Sequence, residues 1–309
     1  MVAMYTYKEL KEEHTNNADR LAYIDFMLRF TGIVKRSDIG GMFNLSDAAA
    51  SKVLADYSRV WGRNIEYNRS LRANAIVRNN YNPVIELDAE TSLGMLAHGF
   101  NKNKLHQVAK TTIPFEKIGR VSNELSVEFI ARITRAINGK YAISCEYLSE
   151  NSNNHSRRMI IPLAIMHDGV NWMFRGYHRD DNNKIFFKNF HFSRALDVVE
   201  HFEGGEYKAL PHETLESDKE WNLVLPLQLR IHPDRDESQK RRIRIDFGIP
   251  ENKDTLTTSV RCAFLWIMER EWFIDSKNDE ENSDTKRSKF FKFELLNAEM
   301  LKLVKQGNL

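Results

Sequence analysis

Cys145 and Cys262 are the two cysteines of the chain, 117 positions apart. Two thiols so far apart make no multi-cysteine zinc or iron–sulfur set and no disulfide framework. His155, His167, His178, His191, His201 and His212 fall at irregular intervals. They contain no H-E-x-x-H pair, so isolated surface histidines account for them better than a metal site. Asp180-Asp181 is followed by Asn182-Asn183, which reads as a solvated turn rather than an acid–base pair. Gly40-Gly41 lacks a phosphate-loop context. Cys145 has no identifiable base or helix start to activate it. These groups point away from catalysis and cofactors; a nuclease is the enzyme alternative left open.

The basic residues carry a different chemistry. Lys+Arg is 45 and Asp+Glu is 43, a net charge of +2. The total says little about partners, but its distribution is uneven. Between Asn16 and Asn80 there are ten Lys/Arg and six Asp/Glu, a local +4. The bases are Arg20, Arg29, Lys35, Arg36, Lys52, Arg59, Arg63, Arg69, Arg72 and Arg78. Such a segment suits phosphate if its elements fit a nucleic-acid module; otherwise it is an ordinary mixed surface.

The elements do fit one. Ala18–Phe30 reads as an amphipathic helix stopped by Thr31-Gly32, and Arg36–Phe43 as a short second helix. Asn44-Leu45-Ser46 breaks the chain, and Ser46 can cap a third helix, Asp47–Trp61. Ile65–Tyr67 and Asn74–Val77 read as two short strands. Three helices and a hairpin, ending near Pro83, are the order of a winged helix-turn-helix. Asp47–Arg59 would then be the recognition helix. Ala48, Ala49 and Ala50 leave little bulk and allow a close approach to base edges and thymine methyls. The plainer role for Ala49 and Ala50 is tight helix packing. Ser46, Ser51 and Lys52 are placed to contact phosphates, as are Arg36 and the wing bases Arg69 and Arg72. An interaction-only winged helix is the alternative.

Asn123–Asn138 reads as a helix, after which the pattern changes to period two. Ile143–Leu148, Arg158–Met166, Asn171–Tyr177 and Lys184–Phe190 read as strands, with a polar turn at Asn151–Ser156 and a hairpin turn at His167-Asp168-Gly169. Phe192–Val199 starts a further strand or turn. Pro162 marks an edge or bulge. The result is a small, strongly bent sheet or open barrel. In Trp172–Tyr177, alternation puts Trp172, Phe174 and Gly176 on one face and Met173, Arg175 and Tyr177 on the other. Arg157, Arg158, Arg175, Arg179 and Arg194 lie in or beside these strands. They can line an anion or nucleotide pocket with Tyr147 and Ser149, or form paired surface arginines. Further on, Trp221–Ile231 and Arg242–Phe247 read as strands, Val260–Trp272 as a helix, Asp275–Lys289 as a polar loop, Phe290–Phe293 as a strand and Leu296–Val304 as a helix. That is a third, small α/β domain.

Trp172-Met-Phe-Arg-Gly-Tyr177, with Tyr147-Leu-Ser149, Arg158-x-Ile-x-Pro162 and Phe187-Lys-Asn-Phe190-x-x-Ser-Arg194, resembles a WYL domain. Lys35-Arg-Ser-Asp-Ile39, Ser46-Asp-Ala-Ala-Ala-Ser51 and Asn64-Ile-Glu-Tyr67 resemble the winged helix of phage-defence repressors in that family. Trp221, Arg242–Phe247 and Val260–Phe264 resemble their C-terminal extension. The resemblance spans nearly the full chain, and the order of the three parts is its strong signal. It implies a multidomain α+β protein: a winged helix-turn-helix domain over residues 1–83, a helical connector over 84–121, a central Sm-like bent β-sheet or barrel (WYL) over 122–203 and a C-terminal small α/β dimerisation domain over 204–309. It implies a homodimeric repressor of a BREX or CBASS defence operon, bound to a double-stranded operator with an inverted repeat. The WYL domain would sense a nucleotide or single-stranded nucleic-acid effector through Tyr147, Ser149, Arg157, Arg158, Trp172, Arg175, Tyr177 and Arg194. Leu163 and Met173 stand where the family pattern has histidine. The remaining alternative is a non-enzymatic adaptor that turns its winged helix to a protein.

Composition agrees with a folded chain. Hydrophobic residues are 42% and charged residues 28% of 309, which supports sizeable cores under a hydrated surface. No run of about 18 apolar residues could span a bilayer, and the first residues show no apolar signal. A cytoplasmic protein without membrane contact is expected.

Overall fold

The computed structural model describes residues 4–106, 113–114, 125–149, 157–179, 186–276 and 290–305. The chain forms two compact units, Met1–Thr214 and Leu215–Leu309.

The first unit begins with α1 (Tyr7–Glu13), α2 (Ala18–Thr31), β1 (Ile33–Val34), α3 (Arg36–Phe43) and α4 (Asp47–Trp61). Next come β2 (Ile65–Asn68), β3 (Ala73–Ile76) and α5 (Ala89–His98). The helix α1 and the two-residue β1 were not read from sequence. Thr6 and Glu9 make a reciprocal cap at the start of α1. β1 is too short for period two to register, yet it pairs with β3 and fixes a three-stranded sheet in the order β1-β3-β2. α2 is buried on most sides through Leu21, Ile24, Leu28 and Phe30. α4 is two-sided: Ala50, Val53, Leu54 and Tyr57 are buried at helical spacing. The wing is the β2–β3 hairpin, paired from Ile65↔Ile76 to Asn68↔Ala73.

α6 (Val127–Gly139) follows, starting at the Ser126 cap; residues 123 and 124 of the expected helix lie outside the described residues. β4 (Ile143–Tyr147), β5 (Arg157–His167), β6 (Trp172–His178), β7 (Phe187–His191) and β8 (Ala195–Glu200) form a sheet in the order β7-β6-β5-β4-β8. Among the described residues this sheet is open, not a closed barrel. The expected turn at 151–156 and the start of the strand expected from Lys184 lie outside the described residues. The pairing of β5 with β6 slips between Pro162 and Ala164, so the proline sits at a bulge. Gly176 lets β5 and β7 close in: a Cβ there would stand 2.7 Å from Ile160 Cγ2. α6 lies on one face with Phe174, Phe190, Ile143 and Val198, in a core continuous with that of α2 and α4. The other face holds Ala142, Ile161 and Tyr177 under Tyr207 and Ala209.

The second unit contains α7 (Lys219–Asn222), β9 (Val224–Ile231), α8 (Glu237–Phe247), β10 (Thr255–Arg261), α9 (Leu265–Glu271), β11 (Ile274–Asp275), β12 (Phe293–Leu295) and α10 (Ala298–Lys305). Its sheet order is β10-β9-β12-β11, around a core of Leu225, Leu227, Leu229, Ile231, Leu265 and Phe293. Four expectations are corrected here. Arg242–Phe247 is helix, not strand: Asp236 and Gln239 cap α8 reciprocally, Gly248 ends it in the left-handed region, and Ile245, which a one-sided strand would bury with Ile243, is 69% exposed. Val260–Trp272 is not one helix, because Val260 and Arg261 complete β10 against β9 and only Leu265–Glu271 is α-helical. The alternating strand starts at Val224, since Trp221 lies in α7, capped by Asp218. The strand expected over Phe290–Phe293 is also shifted: it runs over Phe293–Leu295, paired with β9, and residues 277–289 lie outside the described residues.

Candidate functional site

The solvent face of α4 is built by its cap and its tether. Ser46 Oγ accepts from the Ala49 amide at 3.3 Å and starts the helix. The Tyr57 hydroxyl donates to Asp25 Oδ1 at 2.9 Å and fixes the other end to α2. Asp25 is fully buried and also accepts from the Tyr81 hydroxyl at 2.8 Å and from the amides of Val84 and Ile85 at 3.1 and 3.2 Å. Burial pushes its pKa up, against the pull of those donors and of Arg29. One carboxylate thus ties α2, α4 and the segment after the wing together.

This leaves Asp47, Ala48, Lys52 and Arg59 exposed on α4, with Ser51 half-buried. The three alanines divide: Ala48 is exposed, Ala49 is half-buried and Ala50 is fully buried in the core. Room for close approach at Ala48 and tight packing at Ala50 therefore lie two residues apart. Arg59 pairs with Asp56 at 3.1 Å. Arg36 and Ser46 are exposed at the starts of α3 and α4, and the Asp38 carboxylate accepts from the Lys35 amide at 2.8 Å. In the wing, Asn68 Oδ1 accepts from Ser70 Oγ at 2.7 Å and from the Leu71 amide at 3.1 Å. Arg69 and Arg72 are exposed on that turn, beside Leu71 at 51% exposure. The wing tip is cationic, whereas the α4 face is mixed, with Lys52 and Arg59 set against Asp47 and Asp56; both surfaces are exposed.

The residues expected in a ligand pocket fall on two faces of the β4–β8 sheet. On the α6 side, the Arg158 guanidinium lies 4.9 Å from the Tyr147 ring centre. Burial raises the Tyr147 pKa, while the His191 amide, which donates to the Tyr147 oxygen at 3.0 Å, and the charges of Arg194 and Arg158 oppose that rise. Tyr147, Arg158 and Arg194 are thus neighbours: Arg158 lies over the ring, Arg194 precedes the strand residue that pairs with Tyr147, and Ser149 is half-buried two residues on. The Tyr147 ring is buried, with Phe190 edge-on against it, so it is the half-buried guanidinium groups of Arg158 and Arg194 that can hold a phosphate. Trp172 shares that face but is engaged otherwise: its Nε1–H donates to Glu90 Oε2 at 2.7 Å and its ring lies against His167.

Arg175 and Tyr177 face the opposite way, as alternation requires. Arg175 is 2% exposed, and its Nη1 donates to Asn189 at 3.0 Å across β6 and β7. Tyr177 stacks on Phe186. Arg157 also points away from Tyr147: it donates to Ser144 Oγ and to the Asp197 carboxylate at 3.1 and 2.6 Å. Leu163 packs beside Tyr177, and Met173 is fully buried. Sequence reasoning missed Asp25, Glu90 and Glu200; each acts through a partner distant in the chain, and no local motif announces them. Burial pushes the Cys145 thiol up to about 12, and its side chain is fully enclosed in the core. Among the described residues no three His, Cys, Asp or Glu side chains group as metal ligands, and no helix is long and apolar enough to cross a membrane.

Fold and site together define a winged helix joined to a WYL domain. Residues 16–98 match the BrxR transcriptional regulator winged helix-turn-helix domain, and residues 128–199 match the WYL domain. The chain carries both domains and is homologous to proteins named DNA-binding transcriptional repressor CapW. One, from Escherichia coli (strain KTE188), is 25% identical over 233 residues, covering 74% of each chain. Another, from Stenotrophomonas maltophilia, is 26% identical over 265 residues, covering 83% of each. A solved structure described as a CRISPR Cas-related protein aligns at TM-score 0.31 and 14% identity, over 96% of this chain and 81% of that one; at that level it supports no conclusion about this chain.

Proposed function

We propose that this protein is a non-enzymatic, sequence-specific DNA-binding transcriptional repressor of an antiphage defence operon. The observation that carries this reading is the exposure of Ala48, Lys52 and Arg59 on α4 together with that of the wing arginines Arg69 and Arg72. The homology to CapW repressors supports it. Ala48 gives the closest approach to base edges, and Lys52, Ser46, Ser51 and Arg36 meet phosphates on either side. Few bulky readers stand on α4, so DNA shape and the wing share the discrimination.

The protein acts as a homodimer in this reading. Two copies of α4 related by a two-fold axis match an inverted repeat, with the C-terminal unit setting their spacing. The Tyr147–Arg158–Arg194 cluster takes a nucleotide or single-stranded nucleic-acid signal. Such an effector shifts operator affinity only by binding one state of the dimer better than the other. Titrating mononucleotides and short oligonucleotides against an operator complex tests this. Release or tightening of the duplex supports it; unchanged affinity across a titration that saturates the protein opposes it.

A further inference from the structure

Strand β8 joins two clusters at its opposite ends. At its start, Ala195 pairs with Tyr147, next to Arg194. At its end, Glu200 is almost fully buried and holds the junction with the winged helix. The Arg135 guanidinium, on α6, grips Glu200 with Nε and Nη2 and donates Nη1 to the Arg29 carbonyl of α2 at 2.7 Å. The Tyr141 hydroxyl donates to Glu200 at 2.6 Å and accepts from Arg78 Nη2 at 3.2 Å. Asn138 donates to the Thr31 carbonyl. Gly32, at φ +80°, turns the chain into β1 so close to Arg135 and Arg78 that a Cβ would lie 3.6 Å from each.

Between these ends β8 is irregular. Glu146 pairs with Leu196 and Ser144 with Val199, so two residues of β8 stand opposite Cys145. Asp197 takes φ +46°, a left-handed conformation that is strained for a residue with a side chain. Arg157 spans the bulge: it bonds Ser144 of β4 and both the carboxylate and the backbone oxygen of Asp197. From α6, Arg132 bonds the Val198 carbonyl at 2.6 Å. A bulge is where a strand re-aims its neighbours, and this one lies between the aromatic–cation cluster and the buried carboxylate.

We propose that β8 transmits the state of the Tyr147–Arg158–Arg194 cluster to the winged helix, with the Asp197 bulge as the point of adjustment and the Arg135–Glu200 pair as the contact that α2 and β1 follow. This rests on the regulatory reading above, but its test needs no DNA. Amide exchange is measured on the full chain for the unsubstituted protein, Arg157→Ala and Glu200→Gln. Releasing the bulge with Arg157→Ala is expected to speed exchange about 10-fold in peptides covering Gly32 and Ile76, whose amides bond Leu28 and Gly32. Adding Glu200→Gln gives no further acceleration there. Asp197→Asn, a milder change that keeps a residue tolerant of positive φ, moves the same peptides in the same direction. Faster exchange confined to β4 and β8, with Gly32 and Ile76 unmoved in both bulge variants, overturns the proposal. Duplex binding by the same samples is scored separately: coupled exchange without any operator binding defeats the DNA reading alone.

Discussion

Tyr57 and Asp25 are joined at 2.9 Å across the interior of the winged helix, the phenol donating to a carboxylate that no solvent reaches. The position of the recognition helix thus depends on a buried polar contact as well as on apolar packing. Asp25→Ala leaves two phenols and two amides without their acceptor. A loss of about 3 kcal/mol is expected from buried donors left unpaired. Chemical denaturation of the full chain measures it; a variant as stable as the parent would show the contact to be dispensable.

Lys52→Ala removes an exposed cation from α4 without touching its core side. Duplex affinity should fall by a similar factor on specific and nonspecific DNA. The slope of log affinity against log salt should become shallower by about one counterion. Binding isotherms at several salt concentrations check this. Ala48→Leu, in contrast, should weaken the specific complex more than the nonspecific one, because in the proposed reading bulk there would meet base edges.

In the proposed reading Arg158 serves effector sensing, whereas the buried Arg175 serves folding. Arg158→Ala strips the cation from the Tyr147 ring, so effector response should be lost while operator binding persists. Arg175→Ala empties a buried position bonded to Asn189 and should destabilise the WYL domain by about 2 kcal/mol. Thermal melts and effector titrations of both variants distinguish the roles. A stable Arg175 variant that is blind to effector would assign the pocket to the other face.

Glu213 gives a pH signature. Burial alone would raise its pKa, but the Arg179 guanidinium, bonding it at 2.8 and 2.7 Å, and the Leu210 amide outweigh burial and hold it below the ordinary 4.5. A carboxylate lowered on folding stabilises the native state above its unfolded pKa. That contribution fades as pH falls through the folded value. The Tyr207–Glu213 segment should therefore lose exchange protection in acid below about pH 4.5. Glu213→Gln should already be loosened at neutral pH and show a smaller acid-dependent change. Equal acid sensitivity in parent and variant would place the titrating group elsewhere.

Much of this protein was legible because its local signals agree. Ser46, the apolar spacing of Val53, Leu54 and Tyr57, and Gly62 all mark the same helix, and its bounds matched. Alternation in Trp172–Tyr177 correctly divided Phe174 from Tyr177. Arg242-Ile-Arg-Ile-Asp-Phe247 misled for the same reason: it alternates, while the information for helix sat upstream in Asp236 and Gln239. Alternation also implies that Arg175 and Trp172 cannot share a face, so the residues expected to line one pocket divide between two. The tying contacts were out of reach. Tyr57 is 32 positions from Asp25, Arg135 is 65 from Glu200 and Arg179 is 34 from Glu213. Long-range pairing of charges leaves no period in the sequence.

The central claim is that the α4 face and the wing read a particular duplex. Selection of genomic DNA fragments with the purified full-length protein tests it most directly. The account predicts enrichment of fragments sharing one inverted repeat, lost when Lys52, Arg69 and Arg72 are replaced together by alanine. Recovery of fragments indistinguishable from the input library, by a folded protein at low salt, would contradict it.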